Sequence, residues 1–141
     1  NSIKKRKFKT ELGPVIFIEN EFLRNFIEVN IKEFKKFGYN FLLLDTYSKD
    51  VGNIFDICSE DYLKVLLNQS LLNNLSIGLA GKLNLLNIPQ LAKLQPKIVG
   101  FRSAVCVDEN RKKELSICKL KKLYYSITSA KRPAMHAAGA W

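Results

Sequence analysis

Four short apolar runs divide the chain, and a longer segment with helical spacing follows each of them. The first run, PVIFI at 14–18, begins after the breaker Gly13-Pro14. The segment 21–37 then brings Phe22, Phe26, Val29 and Phe37 near one face, and Gly38 stands where a helix C-cap belongs. The second run is FLLL at 41–44. Ser59 reads as an N-cap for EDYLKVLLNQSLL, which has two acids in its first turn. The third run, LSIGLA at 75–80, ends at Gly81, and a short helix with Pro89 near its first turn follows. The fourth is KIVGF at 97–101. A polar loop, 102–112, then leads into a segment at 112–127 where Leu115, Cys118 and Leu123 alternate with lysines as on an amphipathic helix.

The runs are continuous rather than alternating, which is the pattern of parallel strands covered by helices. The order β-α repeated four times predicts an α/β fold. Right-handed crossovers leave two arrangements: a (βα)4 unit corresponding to half of a TIM barrel, or an open flavodoxin-like parallel sheet. A complete barrel needs about 250 residues, so a barrel reading of 141 implies half of one. The expected layout is a basic segment at 1–11, the (βα)4 domain at 12–127 and a tail at 128–141. That tail is rich in Ala, holds the sole His136 and sole Trp141, and is expected to be disordered.

Composition narrows the function classes. Apolar residues make up 47% of the chain, enough for a packed core. No stretch of about 18 uncharged apolar residues is present to span a bilayer. Cys58, Cys106 and Cys118 are odd in number and unpaired in spacing, which points to free thiols in a reducing cytoplasm and to no metal site. The net charge of +10 invites a nucleic-acid reading, but Lys4, Lys5, Arg6, Lys7 and Lys9 supply five of it. Removing those and Lys131 and Arg132 leaves +3 for residues 10–125. A basic end segment of this kind is a solvated terminus more often than a binding arm. The chain opens on Asn1 and its one methionine is Met135, so residues are expected to precede it.

In parallel α/β folds chemistry collects at the carboxyl ends of strands. After the first run stand Glu19 and Asn20, either of which can face a site or cap the next helix. After the second stand Asp45, Thr46, Lys49 and Asp50. A carboxylate closing a buried strand needs a cation or several donors. Asp45 with Lys49 is therefore either a loop ion pair or Asx-turn, or an acid/base pair tuned by mutual charge. After the third run come Gly81 and Lys82, and after the fourth Gly100, Arg102 and Ser103. Glycine at a strand end lets backbone approach an anion, and a helix N-terminus beyond it adds partial positive charge. The plainer alternative is a tight turn at each glycine, with Arg102 paired to Asp108 or Glu109. Neither loop matches a P-loop or GxGxxG pattern.

The pieces LLLDTYSKD at 42–50, VGNIFDI at 51–57, SIGLAGKL at 76–83 and KIVGFRSAVC at 97–106 together resemble the (5-formylfuran-3-yl)methyl phosphate synthase family. The resemblance covers about residues 12–125 and corresponds to strands five to eight of that family's barrel. It implies a TIM-barrel lyase that condenses two glyceraldehyde 3-phosphate molecules through a Schiff base, without metal or cofactor, in methanofuran biosynthesis and one-carbon metabolism. Asp45 and Lys49 match the family's active-site Asp and Lys. Gly81 matches the seventh-strand loop, and Gly100, Arg102 and Ser103 match the eighth-strand loop, where phosphate would sit. Two departures stand out: Lys82 replaces a serine after Gly81, and Ser103 replaces a glycine after Arg102.

The family's Schiff-base lysine lies on the first strand and another catalytic lysine follows the fourth, and neither region is in this sequence. The expectation is a phosphate-binding part of a synthase that does not turn over alone. It would pair with the missing half or with a second copy. The alternative is a non-catalytic phosphate-binding remnant or binding module that reaches an acidic partner through its basic segment. Nucleic acid and membrane partners are not expected.

Overall fold

The computed structural model describes residues 11–48 and 50–130. The basic run 4–9, Lys49, and residues 131–141 with His136 and Trp141 lie outside the described residues. The elements are β1 (Val15–Phe17), α1 (Glu21–Lys36), β2 (Phe41–Asp45), α2 (Ile54–Ile57), α3 (Glu60–Leu72), β3 (Ser76–Leu79), α4 (Ile88–Leu94), β4 (Ile98–Val99) and α5 (Ile117–Ala130). All four strands pair parallel in the order β1-β2-β3-β4. A flavodoxin-like sheet places its strands 2-1-3-4-5, with a reversal; no reversal occurs in these four.

The chain forms two compact units. One holds 11–81 with 96–100, and therefore the whole sheet with α1, α2 and α3. The other holds 82–95 with 101–130, and therefore α4 and α5, which pack on each other.

In the first unit the two sheet faces differ. Ile16, Ile18, Leu42, Leu44, Ile77 and Leu79 are buried on one face, together with Ile27 and Ile31 of α1 and Leu63, Leu66 and Leu67 of α3. On the other face Val15, Phe17 and Ile98 are 51%, 39% and 41% exposed, and Phe41, Leu43 and Asp45 are half-buried. Strand side chains alternate between faces, so one residue row lies under the helices and the next stays open.

Local chemistry explains most boundaries. The Asn20 side chain accepts from the Phe22 amide at 2.9 Å and starts α1. Gly38, at φ +88, follows the helix C-cap Phe37, a conformation without penalty for glycine. Ser59 accepts from Tyr62 N at 3.2 Å and starts α3.

Three expectations need correction. Phe22, Phe26, Val29 and Phe37 do not form the buried face of α1; they are 72%, 43%, 80% and 61% exposed. The buried residues are Ile27 and Ile31, with Leu23 and Phe34 half-buried beside them. The last helix begins at Ile117 rather than 112, because 105–116 folds back on itself. Cys106 bridges Leu115, Val107 N donates to Glu114 O, and Ser116 N donates to Val105 O. Leu115 is thereby held outside the helix and 62% exposed. Finally, α5 runs through Ala130, three residues into the segment expected to be disordered.

Candidate functional site

The carboxyl ends of β1 to β4 form one rim of the first unit, since all four strands run the same way. Asp45 is the last residue of β2, opposite Phe17 in register. Its Oδ1 accepts from the Thr46 amide at 2.7 Å, so the carboxylate has one local donor. The ladder continues past the paired strands: Ile18 N donates to Asp45 O, Ala80 N to Leu44 O, and Gly100 N to Leu79 O, all within 3.1 Å. Asp45, Gly81 and Gly100 therefore stand at the same end of the sheet.

Gly81 has φ +96, where an L side chain is strained. A Cβ built on it would lie 2.6 Å from Thr46 Cγ2, 2.8 Å from Thr46 Oγ1 and 3.0 Å from the Thr46 amide nitrogen. Its carbonyl accepts from Ile54 N at 3.3 Å, tying the β3 end to the start of α2. Gly100 is not in the left-handed region; a Cβ there would meet the Ala80 Cβ at 3.1 Å. Its amide is engaged by Leu79 O, so its backbone donor is not free for a ligand.

Lys82, Arg102 and Ser103 belong to the second unit. Lys82 is exposed and left-handed at φ +48. Arg102 is exposed and Ser103 half-buried. Asp108, one of the two acids weighed as a partner for Arg102, instead takes Lys113 Nζ at 2.5 Å. No α-helix follows Arg102 directly: short 3-10 turns occupy Ser103–Val105 and Val107–Glu109 before α5 begins. Lys49 lies outside the described residues.

The structure adds two residues that sequence reasoning left undecided or unassigned. Asn20 takes the N-cap, so Glu19 is released from it and reaches across to the loop after β2. Glu19 Oε1 accepts from the amides of Tyr47 and of Ser48, the latter at 2.8 Å. Arg24 reaches back from α1 to donate to Ile18 O at 2.7 Å and Glu19 O at 3.3 Å, fixing the end of β1. Tyr47 also stacks edge-on against Phe17, with centroids 5.3 Å apart. The second residue is Thr46. Its Oγ1 is buried without a hydrogen-bond partner among the described residues, as is Glu19 Oε2. Such groups are uncommon and point to a functional or strained position. The available signal was the pair of polar residues Glu19-Asn20: asparagine is the better cap, which frees the acid.

Three successive amides, 46 to 48, are thus gripped by carboxylates. Replacing Glu19 with alanine should strand two of them and cost about 2 kcal/mol, with Gln restoring part of it. Urea unfolding, read beside amide exchange at Tyr47 and Ser48, checks this.

A cavity of about 240 Å³ lies between α1 and α3, lined by Glu28, Asp61, Tyr62, Val65, Leu66 and Gln69. Burial, and then the Glu28 carboxylate, push the Tyr62 hydroxyl well above its ordinary value. Burial likewise raises the Cys58 thiol, against a smaller lowering by Arg24. These groups belong to the helix layer and not to the strand ends. No helix among the described residues is long and apolar enough to cross a membrane.

Comparison with known proteins bears on the same residues. Two (5-formylfuran-3-yl)methyl phosphate synthases, from two strains of Methanococcus maripaludis, are each 32% identical over 74 residues. That stretch is 52% of this chain and 31% of each relative, so the match spans less than a third of the relatives' length. The sequence pattern of the 4-HFC-P synthase family matches residues 1–124, from before β1 to within α5. The chain therefore belongs to the 4-HFC-P synthase family.

Proposed function

We propose that the chain is the C-terminal (βα)4 part of a furan phosphate synthase of methanofuran biosynthesis. In this reading the whole protein is a TIM-barrel lyase that joins two glyceraldehyde 3-phosphate molecules, with release of phosphate and water, through a Schiff base. Asp45 serves as acid and base at the reacting carbons, with Lys49 beside it in sequence. Lys82, Arg102 and Ser103 take the phosphate, and Gly81 and Gly100 leave the strand ends free of side chains for it.

The observation that carries the reading is the shared rim. Asp45, Gly81 and Gly100 come from three different strands and stand at one end of an all-parallel sheet in a chain of this family. A ligand spanning that rim would offer its carbon chain to an acid and its phosphate to small residues with a lysine and an arginine following them. Strand-end loops are where barrel enzymes build such sites. Asp45 lies on the open sheet face with Phe17, where a carboxylate reaches a ligand rather than the helix layer.

The resemblance puts the family's Schiff-base lysine ahead of the matched strands, so in this reading the 141 residues given bind but do not turn over by themselves. Calorimetric titration should show glyceraldehyde 3-phosphate binding that weakens in Arg102→Ala, while product formation stays at background. When the N-terminal half of a curated relative restores product formation in trans, Asp45→Asn should lower it about 10²-fold or more. Absence of binding, or full activity in the Asn variant, would remove this assignment.

A further inference from the structure

Tyr47 is an aromatic residue fixed in place just beyond a strand end. Its amide donates to Glu19 Oε1, and its neighbours Thr46 and Ser48 are held by Asp45 and Glu19 in the same way. Its ring stands edge-on to Phe17, with an interplanar angle of 68°. Arg24 steadies that partner too, since it donates to Ile18 O, the residue directly after Phe17. The side chain of Tyr47 makes no hydrogen bond among the described residues, and the core does not need it.

Both rings lie beside the candidate acid. Phe17 is opposite Asp45 in the β1–β2 register, where neighbouring strands are about 4.8 Å apart. Residue 47 keeps the parity of Leu43 and Asp45, and its contact with Phe17 puts its ring on that same face. Asp45 therefore has an aromatic wall on the β1 side and the glycine-bearing ends of β3 and β4 on the other. This is the carboxyl end of the strands, the end at which barrel enzymes admit their ligands.

We infer that Phe17 and Tyr47 form a specificity-determining wall that takes the furan ring made at Asp45 and favours it over the open-chain triose phosphates that precede it. The inference rests on the proposed function for the place of the reacting carbons. The physical reason is the charge distribution of an aromatic ring, negative on its face and positive at its edge. Rings accordingly associate edge to face or offset, and a perpendicular pair offers a third ring a corner with both kinds of surface. A saturated three-carbon chain has no such face to present. A ring contact of this kind multiplies affinity by about two- to tenfold. A tyrosine that merely covered Phe17 would act on both kinds of ligand alike.

Calorimetric titration of the full chain with furan-3-ylmethyl phosphate and with glycerol 3-phosphate measures the preference, because both are phosphate esters and only one carries a ring. The ring ester should bind more tightly. Tyr47→Leu keeps an apolar side chain at a position that is 77% exposed, so its circular dichroism should be unchanged. It should lower the preference by about threefold to tenfold, and Tyr47→Phe should keep it. A ring-only probe works without the phosphate: furan-3-ylmethanol should shift the ring-proton resonances of Phe17 and Tyr47, and glycerol should not. A ring ester bound no more tightly than glycerol 3-phosphate overturns the inference, as does a preference unchanged in Tyr47→Leu; either result leaves the proposed phosphate site standing. Ring-proton shifts in a chain that binds neither ester do the reverse, keeping the wall and removing the proposed function. A chain that responds to none of the probes loses both.

Discussion

Gly81→Ala should destabilise the chain by about 2–5 kcal/mol, measured as a shift in the urea midpoint. Two separate terms contribute. The backbone at Gly81 has φ +96, and a residue with a Cβ in a left-handed conformation is penalised by about 1–2 kcal/mol. The added methyl would also meet Thr46 at 2.6 Å, 2.8 Å and 3.0 Å, and overpacking of this kind costs about 1–3 kcal/mol. Thr46 cannot swing away freely, because its amide is held by Asp45 and the next two by Glu19. A double-mutant cycle separates the terms. Thr46→Ala removes the two side-chain contacts and leaves the backbone term. The pair should therefore be coupled by about 1–2 kcal/mol. If Gly81→Ala costs the same in both backgrounds, the glycine is needed for its backbone conformation alone.

The second large effect contrasts two residues of one helix. Ile27→Ala should cost about 2–5 kcal/mol, because Ile27 is fully buried and its removal leaves a cavity against the sheet. Phe22→Ala should stay within about 0.5 kcal/mol, because that larger side chain is 72% exposed. Both are read as shifts in the urea midpoint. Equal effects would mean that the aromatic stripe, and not the Ile27–Ile31 stripe, faces the sheet.

That contrast also shows what the sequence could and could not reveal. The strands were legible because each is a short apolar run bounded by glycine, proline or polar residues, and their lengths shrank only at the ends. The α1 face was not legible, because the helix carries two apolar stripes. Phe22, Phe26 and Val29 form one, and Leu23, Ile27, Ile31 and Phe34 form the other. Periodicity finds both and cannot say which meets the sheet; that depends on how the crossover lays the helix down. The start of α5 was obscured by a different cause. Leu115 has helical spacing with Cys118, yet a bridge to Cys106, at the far end of the preceding loop, holds it out. At the site, Asp45 and the glycines could be placed because they terminate recognisable runs. The role of Glu19 could not, because its partners, the amides of Tyr47 and Ser48, are distant in sequence and carry no side-chain signature.

The engaged amides at the strand ends have a consequence for how an anion could be held. The backbone donors of Thr46, Tyr47 and Ser48 are spent on the protein's own acids, and that of Gly100 on Leu79. None of these four is left to solvate a phosphoryl oxygen. The exposed side chains of Lys82 and Arg102 then carry much of the attraction, and exposed charges are screened within about 10 Å at 0.1 M salt. Affinity for a phosphorylated ligand should accordingly fade as ionic strength rises, unlike capture by a sheltered cradle of peptide nitrogens.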